Sequence, residues 1–111
     1  MQRRLRLRRH EDFQRVRRAG RSWAHPLLIL VVAPNELGHN RYGFITTRKL
    51  GNAVLRNRAK RRLRAAVLHW HPQLAPGHDI IIIARHAVPH CAYQDLCEAM
   101  ALLLRRADLL S

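Results

Sequence analysis

Two uninterrupted apolar runs constrain this chain more than any other feature of its sequence. Residues 27–33 read LLILVVA and end at Pro34, and residues 80–83 are four consecutive isoleucines. Short runs rich in β-branched residues favour strands that are covered on both faces over helices. The sequence therefore predicts a small sheet with cover on each side, and its 111 residues suit a single domain spanning 1–111.

Capping and periodicity predict three helices around this sheet. His10 stands at a cap position ahead of two acids, and Gly20 is a stop signal for a short first helix. Asn52 is a favourable N-cap for a second helix over 53–70. Apolar residues at helical spacing predict a third helix over 93–106.

The remaining segments complete a predicted topology. Residues 41–47, RYGFITT, follow the turn NELGHN, so they and residues 27–33 are expected to form an antiparallel hairpin. With residues 80–83 the order is α-β-β-α-β-α, an α+β sandwich with helices on a small sheet. Residues 1–9 carry five arginines and no core-forming pattern, which predicts a flexible basic arm.

The charge balance points to an acidic partner. Twenty-one Lys and Arg against seven Asp and Glu give a net charge of +14, which repels itself unless a partner neutralises it. Nucleic acid is favoured, because each neutralised phosphate releases counterions. No apolar segment has the length of a membrane span, and the basic N-terminus lacks the apolar run of a signal peptide. These features, and only two cysteines, predict a cytoplasmic location.

Residues 48–64 concentrate the positive charge. This stretch, RKLGNAVLRNRAKRRLR, holds eight basic residues and no acid. On a helix Arg56, Lys60 and Arg64 follow one another at a spacing of four, where like charges repel. Selection for stability alone favours interspersed Glu, so this face is predicted to meet phosphates.

The same stretch resembles the signature of the bacterial ribonuclease P protein family, whose helix carries an Arg-Asn-Arg core inside a longer basic run. Here that core is Arg56-Asn57-Arg58, within KLGNAVLRNRAKRRLR. The segments RRHEDFQRV, RYGFITTRK and HDIIIIAR and the final amphipathic helix also resemble the family. The resemblance implies a ribosomal-protein-like α+β fold with a left-handed βαβ crossover. It also implies the protein subunit of an endoribonuclease that removes the 5′ leader of precursor tRNA.

Two RNA-binding surfaces follow from this resemblance. The basic helix is expected to bind a catalytic RNA subunit through Arg56, Asn57, Arg58, Lys60, Arg61, Arg62 and Arg64. A cleft between the first helix and the sheet is expected to bind the single-stranded leader through Phe13, Arg17, Val31, Thr47 and Lys49. Arg17 and Val31 depart from the family pattern, because both stand where relatives place an aromatic residue.

The resemblance assigns hydrolysis to the RNA subunit and its Mg²⁺ ions. The chain itself is therefore expected to hold no catalytic residue, metal or cofactor, and its partners are the RNA subunit and precursor tRNA. No membrane and no obligate protein partner is predicted. His69, His71, Cys91 and Cys97 lack the spacing of a zinc site, and Asp79 is interpreted as a loop acid.

Three other functions fit parts of the sequence. A structural RNA-binding protein of ribosomal or assembly type explains the charge and the fold equally well, and only the ordered signature argues against it. A self-sufficient nuclease requires carboxylates or histidines clustered near the basic face, which the basic helix lacks. A membrane-surface helix is disfavoured because the apolar stripe lacks aromatic residues and is needed for the core.

Overall fold

A computed structural model describes residues 1–111 as a four-stranded sheet with three α-helices. The strands are β1 (Arg21–Ala24), β2 (Leu28–Pro34), β3 (Arg41–Ile45) and β4 (His78–Ala84). The helices are α1 (His10–Ala19), α2 (Ala53–Trp70) and α3 (Tyr93–Arg106). Three short 3-10 turns lie at Arg3–Leu5, Arg48–Leu50 and His71–Gln73. The α+β class is as predicted, with β1 as an additional edge strand. None of the helices combines the length and apolar character that a bilayer crossing requires.

The order of the strands in the sheet is β1-β2-β4-β3, so the predicted hairpin is wrong. β2 pairs antiparallel with both β1 and β4, whereas β3 pairs parallel with β4 and is not paired with β2. The four isoleucines of β4 take an inner position because an inner strand pairs along both edges and is covered on both faces. The β3–α2–β4 connection therefore joins two adjacent parallel strands, which is a βαβ unit.

Alternation along the strands divides the core between the two faces of the sheet. Leu28, Leu30 and Val32 of β2 pack in one cluster with residues of α2 and α3. The other face carries a smaller core under α1, formed by Leu7, Val16, Val31, Ala33 and Ile81. Both faces are covered, as the two apolar runs predict.

The helix boundaries agree closely with the local signals. The Asn52 side chain accepts a hydrogen bond from the Leu55 N–H at 3.0 Å, which confirms the predicted cap of α2. α1 ends at Gly20, as predicted, but its N-cap is Arg9, and His10 is the first helical residue. A Cβ at position 20 would lie 2.4 Å from the Val16 carbonyl oxygen, so the close approach of the chain requires glycine there.

The N-terminal segment contributes to the core, contrary to the expectation for residues 1–9. Leu5 and Leu7 are buried, and the Leu7 N–H donates to the Tyr42 carbonyl at 2.9 Å. Arg6 forms an isolated parallel bridge to Tyr42, so the segment lies along the free edge of β3. The alternation Arg-Leu-Arg-Leu-Arg buries leucines between arginines, a pattern that the overall basicity conceals.

The interpretation of Asp79 as a loop acid is wrong. It lies in β4 with 0 % exposure, and its carboxylate accepts hydrogen bonds from Arg41 at 2.8 and 2.9 Å and from Asn35 at 2.9 Å. Arg15 of α1 also pairs with it. Burial raises the pKa of Asp79, but the hydrogen bonds from Arg41, Asn35 and Arg15 outweigh it and hold the pKa below its usual value. Asp79 therefore joins α1 to the sheet electrostatically.

Candidate nucleic-acid interface

The basic side chains of α2 have no acidic partner. The helix contains no Asp or Glu, and none of its six Arg and Lys residues forms an ion pair. Asn57, Arg58 and Arg61 are exposed, whereas Lys60 and Arg64 are half-buried toward β3. Arg56 is also half-buried, and its Nε is buried without a hydrogen-bond partner. This face of α2 carries uncompensated positive charge, which suits a polyanion.

Arg62 differs from the other signature residues. Its guanidinium donates to the Val88 carbonyl at 2.9 Å and to the Cys91 carbonyl. These bonds lie within the protein and hold the loop that precedes α3. Arg62 therefore has an internal structural role that its position in the basic run does not reveal.

A small cavity connects the end of β3 with the signature helix. Its volume is about 160 Å³, and its lining comprises Thr46, Ala53, Arg56, Asn57 and Lys60. The chain that leaves β3 thus lies directly beside the Arg-Asn-Arg core.

The ring of Phe13 lies directly on β3. A Cβ at Gly43 would be 2.4 Å from Phe13 Cζ, so glycine at this position is what permits the contact. Phe13 is half-buried, whereas Val16, one turn later, is fully buried against Val31 and Ile81. α1 therefore crosses the sheet and covers the row of residues formed by Val31, Ile81 and Gly43.

The next row of the sheet stays partly open. Ile29 pairs with Ile83, and Ile83 pairs with Ile45, so these residues lie side by side on the α1 face. All three are half-buried and pack against the edge of the smaller core. We call this surface the isoleucine groove: its floor is Ile29, Ile45 and Ile83, and α1 with Phe13 lies over the neighbouring row, which forms its wall.

The structure brings most of the predicted leader-binding residues toward the isoleucine groove. Arg17 is exposed one helical turn from Phe13, and Thr47 and Lys49 are exposed just after β3, the strand that carries Ile45. Val31 is different, because it is 6 % exposed beneath α1. Its placement in the leader-binding set is corrected: it supports α1 from below, and the isoleucines take the accessible positions. Sequence reasoning missed Ile29 and Ile83 because a continuous apolar run predicts burial for every member.

The contact between Phe13 and Gly43 gives a direct stability test. Gly43→Ala is expected to lower the free energy of unfolding by about 1–3 kcal/mol, since the added methyl overpacks against the ring. Urea denaturation of the wild type, both single variants and the double variant Phe13→Ala/Gly43→Ala measures the coupling. The added methyl should lower the free energy of unfolding much less in the Phe13→Ala background than in the wild type. Equal costs in both backgrounds would contradict the contact.

No metal site accompanies these surfaces. No group of three or more His, Cys, Asp or Glu side chains comes close enough to hold a metal ion, and Cys91 and Cys97 are free thiols. His71 Nδ1 lies 2.6 Å from the Tyr42 hydroxyl. Burial, with the nearby charges of Arg4 and His39, lowers the pKa of His71. Its role in the structure is that of a hydrogen-bond partner for a buried tyrosine.

Fold and surfaces together define a small α+β RNA-binding protein: a basic helix packs on one face of the sheet, and the isoleucine groove and Phe13 lie on the other face. The comparisons agree and are more specific. The family model described as Ribonuclease P matches residues 1–108. The ribonuclease P protein component of Herpetosiphon aurantiacus is 44% identical over 98% of this chain and 89% of the relative. That of Roseiflexus castenholzii is 47% identical over 96% of this chain and 88% of the relative.

Solved structures show the same fold. The ribonuclease P protein of Staphylococcus aureus superposes with a TM-score of 0.86 at 30% identity, covering 96% of this chain and 98% of that one. The protein from Thermotoga maritima gives a TM-score of 0.83 at 27% identity, covering 91% and 96%. The chain therefore belongs to the ribonuclease P protein family, the protein components of the endoribonuclease that processes the 5′ end of bacterial tRNA.

Proposed function

We propose that the basic face of α2 binds the catalytic RNA subunit of ribonuclease P while the isoleucine groove binds the 5′ leader of precursor tRNA. The observation that carries this proposal is the uncompensated charge of α2, whose Arg56 and Lys60 line one cavity with Thr46, the residue that follows Ile45 of the groove floor. Each phosphate that an arginine or lysine neutralises releases counterions, which favours binding at moderate salt. The protein would act in the cytoplasm, where tRNA precursors are made.

The contact with the RNA subunit is assigned to the signature side chains that form no hydrogen bond or ion pair inside the protein. The exposed Arg58 and Arg61 offer planar donors for bidentate phosphate contacts. Arg56 has a buried Nε without a partner, which an RNA oxygen at the 160 Å³ cavity would satisfy. The surface comprises Arg56, Asn57, Arg58, Lys60, Arg61 and Arg64. Arg62 contributes indirectly by holding the adjoining loop.

The leader contact is assigned to the isoleucine groove and its rim. The half-buried ring of Phe13 is placed to stack on an unpaired base, and the isoleucine floor accepts the apolar faces of neighbouring bases. Arg17 supplies a cation where relatives place a second ring, and Thr47 and Lys49 supply polar and basic groups at the far end. Leader binding is therefore part stacking and part phosphate neutralisation.

Hydrolysis is assigned to the RNA subunit and the Mg²⁺ ions that it binds. The protein supplies positive charge between two polyanions, which otherwise repel each other unless metal ions screen them. In this division of labour the side chains of the chain bind and position RNA, and none of them attacks the scissile phosphate.

Cleavage of a precursor tRNA by RNA subunit alone, protein alone and both together tests the proposal. Protein alone should cleave nothing, and its addition to the RNA subunit should raise activity most strongly at low Mg²⁺. The gain should shrink as Mg²⁺ rises, because the metal then screens the same repulsion. Metal-dependent cleavage by protein that is free of RNA would refute the assignment of catalysis.

The groove assignment predicts a selective loss. Phe13→Ala should weaken binding of precursor tRNA to the assembled holoenzyme by about 1–3 kcal/mol, the range for one stacked base, and barely affect mature tRNA. Arg17→Phe should reduce the salt dependence of the difference between the two ligands, since a ring replaces a cation. Titrations with both tRNAs at several salt concentrations measure this, with Tyr93→Ala on α3 as the aromatic control. Equal losses for both ligands would show that Phe13 only supports the fold.

A further inference from the structure

We infer that residues 3–9 form a third RNA-binding surface, continuous with the basic face of α2, that binds the phosphate backbone of the RNA subunit. This inference rests on the proposed function and extends the contact with the RNA subunit beyond the signature helix. The segment holds Arg3, Arg4, Arg6, Arg8 and Arg9 within seven residues. All five side chains are exposed, and none forms an ion pair.

The fold holds this segment in place at the edge of the sheet. The buried Leu5 and Leu7 and the hydrogen bond from the Leu7 N–H to the Tyr42 carbonyl fix it beside β3. All five arginines then line one concavity of about 550 Å³, together with His39 and Arg41. A docked backbone presents its guanidinium groups at a lower entropic cost than a free tail, so the concavity is a preformed anion-binding surface.

No acid within the chain pairs with the five arginines of residues 3–9. The only acidic residue that lines the concavity is Asp12, whose carboxylate lies 3.7 Å from both Arg15 and Arg41. Arg41 is in turn bound to the buried Asp79. The lining includes one apolar residue, Leu37, which leaves little surface for a protein partner of ordinary composition. A polyanionic backbone is the ligand that these features fit.

A second cavity joins the segment to the signature helix. Arg6 and Arg8 also line a pocket of about 250 Å³ that contains Lys60 and Arg64 of α2. Positive charge therefore continues from α2 across the edge of β3 to residues 3–9. Three rows of residues lie side by side on the α1 face of the sheet. α1 covers the middle row, which contains Ile81; the row with Asp79 and Arg41 lies on one side of it, and the row of isoleucines lies on the other. The row that carries Arg41 is thus separated from the isoleucine floor by the row under α1. Phe13 lines the joining pocket, but the concavity itself contains no leader-site residue, so we assign it to the RNA subunit.

The test compares two pairs of substitutions that remove equal charge. The variant Arg4→Gln/Arg9→Gln changes two arginines of the concavity, and the control Arg85→Gln/Arg106→Gln changes two exposed arginines elsewhere. Affinity for the RNA subunit is measured over a range of salt concentrations, and affinity of the holoenzyme for precursor tRNA is measured in parallel. We expect the concavity pair to weaken RNA-subunit binding about tenfold or more and to lower the log–log salt slope by about two, with a clearly smaller change in the control.

Each outcome decides between the hypotheses. Equal losses in the two variants would overturn the inference, and a loss confined to precursor tRNA would overturn the assignment to the RNA subunit. Arg58→Ala in the same assay separates the inference from the proposed function. If Arg58→Ala weakens binding and the concavity pair does not, only the third surface is wrong; if Arg58→Ala has no effect, the proposed function fails. Unchanged melting temperatures show that the comparison concerns binding, since all four substituted side chains are exposed.

Discussion

Asp79→Ala is expected to lower the free energy of unfolding by about 3 kcal/mol, which makes it the most destabilising single substitution proposed for this protein. The carboxylate has 0 % exposure and is bound by Arg41, Asn35 and Arg15, so its removal leaves two neighbouring guanidinium groups on the α1 face of the sheet without the buried carboxylate that joins them. The value lies at the lower end of the range for a broken buried pair because both arginines can turn toward water. Urea denaturation measures it, and the exposed Asp95→Ala is the control.

The same site predicts acid sensitivity. The hydrogen bonds hold the pKa of Asp79 below its value in the unfolded chain, about 3.9, in spite of burial. The native state therefore binds this proton less readily, so the stabilisation is complete above the unfolded pKa and is lost as the pH falls through the folded pKa. As the pH is lowered from about 6 to about 2, the free energy of unfolding should fall more steeply for the wild type than for Asp79→Asn. Parallel curves would contradict the role of the carboxylate.

Arg56→Ala and Arg58→Ala are each expected to weaken binding to the RNA subunit by about 1.5–3 kcal/mol, the range for hydrogen bonds to charged groups. The log–log salt slope should fall by about one for each phosphate that the variant no longer neutralises. Neither substitution should lower the melting temperature, because both side chains lack an internal partner and their removal relieves repulsion on α2.

Arg62 provides the matched control on the same helix. Arg62→Ala frees the carbonyls of Val88 and Cys91, so it should lower stability while changing the salt slope little. The two kinds of arginine are thus separated by two independent measurements. If Arg58→Ala instead lowers the melting temperature and leaves affinity and slope unchanged, the positive face of α2 is structural.

The sequence by itself determined those features whose signals lie within a few residues of each other. Asn52 marks the start of α2 because its side chain caps the N–H of Leu55, three positions away. The bounds of α2 and α3 follow from the spacing of apolar residues in the same way. The ordered signature around Arg56-Asn57-Arg58 was also sufficient to indicate the family, which the comparisons then showed.

Only the tertiary structure decided the features that depend on distant partners. Each apolar strand can pair along two edges, and the local sequence does not determine which strand lies beside which. In the structure β4 lies between β2 and β3, so these two strands do not form the expected hairpin. The same holds for burial. Leu5 and Leu7 are covered because β3 lies beside them, and Asp79 is buried because Arg41 and Arg15 converge on it from β3 and α1. The row of Ile29, Ile83 and Ile45 stays partly open because α1 covers the row beside it, and that choice is made by packing across the whole sheet.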